Sequence, residues 1–210
     1  MTDPSAAAEL QPGSETPRQT TYVGTRIALE PLDAELHTPD LFAVSSGTPE
    51  AEAIWNWMPD GPFADASSMS TVLRERAESP DLLAFAVVDR ATSKAVGMAC
   101  YLAVEPGARR LEVGFIWYAL SHRGGSANNE VMLLMLGEAF ERLGYRRVEW
   151  KCDALNERSR RAALRLGFTF EGIFRQHMIV KGKNRDTAYF SMLDSEWPQT
   201  KAALVHACEE

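Results

Sequence analysis

Cysteine is scarce in this chain of 210 residues. The three cysteines, Cys100, Cys152 and Cys208, are odd in number, widely spaced and outside any CxxC or Cys/His cluster. A disulfide framework and a zinc site both need closely organised cysteines. We therefore expect reduced thiols and no metal site.

Long apolar runs are also missing. No segment approaches the roughly 20 consecutive apolar residues that a membrane-spanning helix requires. The N-terminal segment MTDPSAAAELQPGSETPRQTT has neither the basic region nor the apolar run of a secretory signal. The sequence therefore predicts a cytoplasmic protein without a membrane partner.

The chain also lacks an excess of positively charged residues. Lys and Arg number 22 against 29 Asp and Glu, which gives a formal net charge of −7. Nucleic-acid binding is disfavoured, because a surface that follows a phosphate backbone needs excess basic residues. Basic residues do collect locally, within 158–165 and 175–185. An anionic small molecule thus remains compatible with the charge distribution.

What is present is typical of one globular domain. Apolar residues make up 45% of the chain and charged residues 24%. Residues 1–20 are rich in Pro, Ser, Thr and Glu and have almost no large apolar side chain, which predicts a disordered tail. Residues 21–210 contain no linker and no repeat, and we expect them to form a single domain.

Hydrophobic periodicity and turn residues predict an α/β (mixed α+β) fold. We expect a central mixed sheet of about seven strands, flanked by helices, in which an antiparallel meander is followed by a parallel pair. The crossover helix after the meander makes strands 111–118 and 147–154 parallel neighbours. The predicted strands are 23–30, 82–89, 95–104, 111–118, 147–154, 169–180 and 186–193, and the predicted helices are one or two within 31–57, then 65–77, 128–143, 157–166 and one from about 195.

The loop HRGGSANNE, from His122 to Glu130, is the most informative segment. Gly124 and Gly125 let the backbone approach a ligand, and the amides of a helix N-terminus at Asn128 can converge on an anion such as pyrophosphate. Arg123 adds a positive charge. The alternative is that the glycines only form a turn and Asn128 only caps the helix.

A second segment, NERSRRAALRLGF, is predicted to be a short helix with a serine on its inward face. In one interpretation Asn156 is a simple N-cap and Ser159 only bonds that cap. In the other, the serine hydroxyl serves a ligand beside the glycine loop. Residues that share the inward face with Ser159 are Ala162, Ala163 and Leu166, and those expected on the opposite face are Arg158, Arg161 and Arg165.

These segments resemble a known family. The strand LEVGFIWY, the loop RGGSAN, the run YRRVEWKCDALNERSRRAALRLGFTFEGIFRQH and the following NRDTAYFSMLDSEWP are similar to the GNAT superfamily of N-acetyltransferases, and within it to the RimJ/RimL-like branch. The resemblance covers about residues 22–200.

The resemblance implies acetyl-CoA as co-substrate, no metal, and direct transfer of the acetyl group to an amine without a covalent enzyme intermediate. It implies that two central parallel strands splay to admit the pantetheine arm, and it allows a homodimer. The implied coenzyme-binding residues are Ile116, Trp117 and Tyr118 for the pantetheine, Arg123, Gly124, Gly125, Ser126, Ala127 and Asn128 for the pyrophosphate, and Asn156 at the reactive end.

The chain departs from the family pattern at three positions. Ser126 and Asn128 stand where small residues are usual, and Ala163 stands where many members have the tyrosine that protonates the departing thiolate. In the RimL-like branch a serine three residues after the asparagine is assigned that role, and Ser159 matches it. A serine hydroxyl would act chiefly as a hydrogen-bond donor to the thiolate, since it is a weak acid.

The reaction also needs an unprotonated amine. Glu112, on the strand expected to flank the cleft, is the candidate general base and would take the proton through a bound water. The alternative is that Glu112 is an ordinary exposed strand residue. Trp55, Trp57 and Met58 belong to a region that overhangs the acceptor side in this family, although core packing is the favoured interpretation. Arg185 and Asp186 are expected to stabilise a hairpin.

The sequence thus predicts an acyltransferase that acetylates a protein N-terminal or small-molecule primary amine. The alternatives are a CoA-binding module that has lost catalysis, motivated by Ser126, Asn128 and Ala163, and an antibiotic-modifying acetyltransferase. An acidic acceptor lip containing Asp60 and Asp65 would favour a polycationic drug.

Overall fold

The computed structural model describes residues 11–13 and 15–209. The predicted tail falls partly on residues 1–10 and 14, which lie outside the described residues. Its described end contacts the rest of the chain, since Tyr145 Oη donates to Glu15 O at 2.8 Å and Arg18 N donates to Glu138 Oε1 at 3.1 Å. The division into tail and domain stays a prediction.

One eight-stranded mixed sheet forms the centre of the molecule, with the strand order β1-β2-β3-β4-β5-β6-β8-β7. All neighbouring strands are antiparallel except β5 and β6, which are parallel. The predicted meander and parallel pair are therefore confirmed. The strands are β1 (Tyr22–Val23), β2 (Ile27–Pro31), β3 (Leu82–Asp89), β4 (Lys94–Glu105), β5 (Arg110–Tyr118), β6 (Arg147–Asp153), β7 (Thr169–Val180) and β8 (Lys183–Leu193).

Helices cover both faces of the sheet. Side chains alternate along β3: Phe85 and Val87 pack in the core beneath α4, whereas Ala84, Ala86 and Val88 pack in a second core beneath α1 and α3. This alternation is the period of two expected for a strand buried on both faces. The helices are α1 (Ala34–Ser45), α2 (Pro49–Glu52), α3 (Ala66–Glu78), α4 (Ser126–Gly137), α5 (Glu157–Arg165) and α6 (Trp197–Glu209).

The sheet has eight strands rather than seven because the predicted first strand is interrupted. Gly24 N donates to Ile27 O, and the buried carboxylate of Glu130 accepts from the amides of Thr25 and Arg26. The partner of this turn is about 100 residues away in α4. A long-range contact therefore decides a boundary that local propensity does not show.

Helix α4 also starts earlier than predicted, at Ser126 instead of Asn128, and ends in a π-helical turn over Glu138–Arg142. In the part of the chain covered by residues 11–13 and 15–209, no helix combines the length and the apolar character needed to cross a bilayer.

Candidate active site

The parallel strands β5 and β6 separate after four residue pairs. Their pairing runs from Arg110 opposite Arg147 to Val113 opposite Trp150 and goes no further. The register of β5 against β4 also shifts here, and Phe115 has a φ of +50°. This bulge adds a residue to β5 and turns the strand away from β6. The backbone groups of residues 114–118 that face β6 are therefore left without a strand partner.

A cavity of about 620 Å³ opens between the separated strands. Most of the predicted site residues line it, although they come from one strand, a loop and two helices. Three do not: Gly125, Ser126 and Ala127 are absent from the lining, and the last two lie at a second cavity of about 540 Å³ beside Arg26. The predicted residues that line the main cavity are Glu112, Ile116, Trp117, Tyr118, Arg123, Gly124, Asn128, Asn156 and Ser159.

One end of the cavity is formed by the glycine loop and the N-terminus of α4. Gly124 has a φ of +74°, a conformation that favours glycine, and Gly125 is the N-cap of α4 without a side chain to bond the first amides. The helix N-terminus therefore keeps unsatisfied donors and its partial positive charge. Its first residue, Ser126, does not block this end, because its hydroxyl accepts from Arg26 Nη1 at 2.8 Å.

Asn128 is not the helix cap that the alternative interpretation required. It lies in the first turn of α4, is buried, and its Oδ1 accepts from Tyr118 Oη at 2.9 Å. Asn128 therefore ties α4 to the end of β5. This contact explains structurally why a polar residue occupies a position that the family pattern gives to a small one.

Arg123 carries the positive charge at this end. Its Nε donates to Tyr118 O at 3.0 Å, which holds the guanidinium in place, while its Nη2 is buried and has no hydrogen-bond partner among the described residues. Burial and the neighbouring charge of Arg158 lower the pKa of Arg123. Two close cations and an unsatisfied buried donor are the surroundings that a bound anion would stabilise.

Ser159 lines the cavity from the first turn of α5. Asn156 is the N-cap, and its Oδ1 accepts from Ser159 N at 3.1 Å, so the capping interpretation is confirmed. The hydroxyl has a separate contact, because Ser159 Oγ accepts from Trp150 Nε1 at 3.0 Å. The indole fixes the oxygen and leaves the hydroxyl proton available for another acceptor.

The predicted faces of α5 are partly wrong. Ala163 and Leu166 are buried as expected, but Arg158 and Arg165 line the cavity instead of lying on the opposite face. The cavity lies beside the buried face of α5 that contains Ala163 and Leu166. Arg158 and Arg165 flank that face on the helix surface, so they line the cavity. Arg161 does point outward, where it pairs with Glu157 on the surface at 3.0 Å.

Glu112 is not an exposed strand residue. Its side chain is 15% exposed, lines the cavity, and pairs with Lys151 Nζ at 3.0 Å. Burial raises the pKa of the Glu112 carboxyl, and the attraction of Lys151 does not offset that effect. A carboxyl with a raised pKa is better matched to proton removal near neutral pH than an ordinary glutamate.

The acceptor side is closed by two segments that meet. Trp55 is a core residue as predicted, buried against Phe63 and Trp117, whereas Trp57 is 44% exposed and lines the cavity. Lys181, at the tip of the β7–β8 hairpin, donates to Trp55 O at 2.7 Å and to Gly61 O at 2.6 Å. The hairpin and the turn before α3 therefore form one continuous lip.

The β7–β8 hairpin also supplies residues that the sequence analysis missed. His177 Nδ1 lies 3.0 Å from Thr187 Oγ1 and its Nε2 lies 3.4 Å from Tyr189 Oη, and all three residues line the cavity. Arg185 lines it as well. The alternation Arg185, Thr187, Tyr189 places these side chains on one face of β8 and is the sequence signal that could have found them.

Charge in the cavity opposes the charge of the whole chain. Five basic and two acidic residues line it, and no group of three His, Cys, Asp or Glu side chains that could hold a metal ion occurs among the described residues. The site therefore suits an anionic ligand. The basic residues are Arg123, Lys151, Arg158, Arg165 and Arg185, and the acidic ones are Glu112 and Asp153.

Comparisons with known proteins agree with this geometry. Residues 26–169 match the acetyltransferase (GNAT) domain model. The crystal structure of a GCN5-related N-acetyltransferase from Brucella melitensis is 42% identical, with a TM-score of 0.89, and the match covers 94% of this chain and 88% of that one. RimJ of Mycobacterium smegmatis, solved in complex with CoA-disulfide, is 21% identical with a TM-score of 0.74, covers 95% of this chain and 98% of its own, and shares the fold.

Among curated relatives, YdaF of Bacillus subtilis, whose name describes it provisionally as a ribosomal N-acetyltransferase, is 33% identical over 93 residues. That match covers 44% of this chain and 50% of YdaF, so the chain spans about half the length of this relative. As the resemblance to the RimJ/RimL-like branch predicted, the chain belongs to the GNAT family of N-acetyltransferases.

Proposed function

We propose that this protein transfers the acetyl group of acetyl-CoA to a primary amine by direct attack in a ternary complex. The observation that carries the proposal is the cavity between the separated strands β5 and β6. Unsatisfied anion-binding groups, Ser159 and Glu112 all lie in its lining.

The residues at the α4 end fit the phosphates of the coenzyme. Gly124 allows the backbone to turn, the amides at the start of α4 are uncapped, and Arg123 Nη2 has no hydrogen-bond partner in the part of the chain that the structure describes. Acetyl-CoA supplies a thioester carbonyl for the amine to attack and a thiolate that leaves. Backbone groups of residues 114–118 would hold the pantetheine arm, since they lack a strand partner in β6.

Ser159 is proposed to donate its hydroxyl proton in a hydrogen bond to the developing thiolate. Trp150 Nε1 occupies one lone pair of the serine oxygen at 3.0 Å, which leaves the hydroxyl proton as the remaining donor. Ala163, at the position of the family tyrosine, is fully buried and cannot supply an acid. Ser159 is thus the candidate on α5 for this contact.

Glu112 is proposed to accept the amine proton through a water. Its carboxyl lines the cavity, and its burial raises its pKa. Lys151 bridges Glu112 and Glu149, at 3.0 and 2.9 Å, and thereby fixes the orientation of the carboxyl. The base is held by its ion pair instead of by contact with solvent.

A polycationic drug is a poor fit as acceptor. Asp60, one of the acids expected at the lip, is paired with Arg76, and Asp65 caps α3. Neither lines the cavity. The provisional name of YdaF, a ribosomal N-acetyltransferase, supports a protein amine as one acceptor, and a small amine remains the other.

The experiment is a calorimetric titration with acetyl-CoA, followed by a thiol-release assay over a panel of amines and N-terminal peptides. Binding followed by thiol release with at least one amine is the expected result. Tight binding without release for any amine would favour the module that has lost catalysis. Absence of binding would overturn the proposal.

A further inference from the structure

Three buried side-chain donors have no hydrogen-bond partner among the described residues: Trp117 Nε1, Arg123 Nη2 and Arg185 Nε. All three belong to residues that line the main cavity. Buried donors are rarely left unsatisfied in folded proteins, and exceptions call for a ligand or an ordered water. Arg123 lies at the phosphate end, so Arg185 requires a separate explanation.

Arg185 lies at the reacting end of the cavity. Its charge lowers the pKa of the Glu112 carboxyl and of the Cys152 thiol, against the dominant effect of burial at both. Cys152 and Ser159 line the same cavity. The guanidinium therefore acts on the candidate base and shares the cavity with the candidate thiolate donor.

No acid among residues 11–13 and 15–209 forms an ion pair with Arg185. Asp186, the partner expected from the sequence, is engaged elsewhere: its Oδ1 accepts from Gln176 N at 2.7 Å and from Asn184 Nδ2 at 2.9 Å. Glu112 is bound by Lys151. Among the described residues no ion pair of Arg185 is formed, so a positive charge with a buried free donor faces the space beside the amine site.

We propose that Arg185 determines acceptor specificity by binding a carboxylate of the acceptor, which is then a small amine that also carries an acid group, such as an amino acid. A carboxylate satisfies both needs of this guanidinium, whose Nε is buried: a hydrogen-bond acceptor and a counter-charge. A neutral peptide carbonyl satisfies only the first. This inference rests on the proposed acetyl transfer, whose amine it specifies.

The test uses three acceptors that differ only beside the amine: leucine, leucinamide and 3-methylbutylamine. Thiol release is measured with each, and kcat/KM is expressed per unprotonated amine because the three amines titrate differently. Leucine is expected to be the best acceptor. In Arg185→Met the kcat/KM of leucine falls by about 10- to 100-fold relative to that of 3-methylbutylamine, as expected for loss of a hydrogen bond to a charged group, while the Kd for acetyl-CoA is unchanged.

Arg175→Met is the matched control, because Arg175 is an exposed arginine of the same hairpin that does not line the cavity. It should behave like the wild type with all three amines. Equal or better use of leucinamide by the wild type would overturn the proposal in favour of a peptide N-terminus. An equal loss with all three amines in Arg185→Met would overturn it as well.

Calorimetric titration of the complex with CoA against the same three compounds provides a readout independent of turnover. Binding of leucine that is lost in Arg185→Met supports the inference even if the leucine set is not acetylated. Failure of leucine to bind the wild type overturns it. The proposed acetyl transfer is judged separately, by acetyl-CoA binding and thiol release with the wider amine panel.

Discussion

At the scale of single residues, Ser159 shows how two interpretations of one position can both hold. Its amide bonds the N-cap Asn156, as a purely structural role requires, and its hydroxyl is oriented by Trp150 towards the cavity. Backbone and side chain of a residue in the first turn of a helix point in different directions. Capping therefore does not compete with the proposed catalytic contact.

Replacement of Ser159 by Ala tests that contact. We expect kcat to fall by about 100-fold, the usual effect of losing one donor to a developing negative charge, with a much smaller rise in the KM for acetyl-CoA. Steady-state kinetics with the best acceptor of the panel measures both values.

Ser67→Ala is the control, because Ser67 is an exposed residue of α3 outside the cavity. Its kinetics should equal those of the wild type. If Ser159→Ala turned over at the wild-type rate, the serine would have no part in the mechanism.

At the scale of elements, the loop before α4 shows which glycine the structure needs. A Cβ at either Gly124 or Gly125 would meet no atom within 4 Å, so space does not distinguish them. Backbone conformation does, since φ is +74° at Gly124 and −98° at Gly125. Only the first value is unfavourable for an L-amino acid with a side chain.

The two glycines should therefore respond differently to alanine. Gly124→Ala is expected to destabilise the fold by about 1–2 kcal/mol, the cost of a left-handed conformation. Gly125→Ala is expected to destabilise the fold less, because φ at this position suits alanine and restriction of the unfolded chain offsets part of the cost of alanine at an N-cap. Urea unfolding of both variants measures the difference, and equal destabilisation would show that the conformation of Gly124 is not the cause.

The separation of β5 from β6 is the other feature at the scale of elements. The π-helical turn after α4 and the bulge at Phe115 are local departures from regular structure, and neither follows from hydrophobic periodicity. Propensity patterns describe ideal elements, so they predict where β5 and β6 lie but not where their pairing ends. That end point creates the cavity.

At the scale of the whole molecule, the net charge of −7 is compatible with a basic cavity because most of the acidic residues lie outside that cavity. Some of these carboxylates hold the sheet together. Arg147 of β6 donates two hydrogen bonds to Glu171 of β7, at 2.7 and 2.6 Å, and Ser191 of β8 donates a third at 2.7 Å. One carboxylate thus connects the last three strands.

This carboxylate predicts a pH dependence of folding. The hydrogen bonds from Arg147 lower the pKa of Glu171 to about 2 from the ordinary value of 4.5. A lowered pKa stabilises the native state above pH 4.5, and that contribution is lost as the pH falls from 4.5 to about 2. Glu171→Gln should reduce the free energy of unfolding by about 1 kcal/mol at pH 7, since the pair is partly exposed, and by almost nothing at pH 2.

Thermal or urea unfolding between pH 2 and 7 checks this prediction. Glu157→Gln is the control, because the Glu157–Arg161 pair is largely exposed and contributes little. A difference between wild type and Glu171→Gln that stayed constant across this pH range would contradict the assignment.

The sequence by itself determined the fold class, the meander, the parallel pair and the family, because these follow from periodicity, turn residues and motifs that are local in the chain. The strand β3 was predicted with its observed bounds, Leu82–Asp89. Tertiary structure alone decided what the cavity contains. It placed the exposed Arg158 and Arg165 in the lining of the cavity, paired Glu112 with Lys151, and left Arg185 Nε without a hydrogen-bond partner among the described residues. Such facts depend on which side chains from distant segments meet, and no local pattern encodes the distance between them.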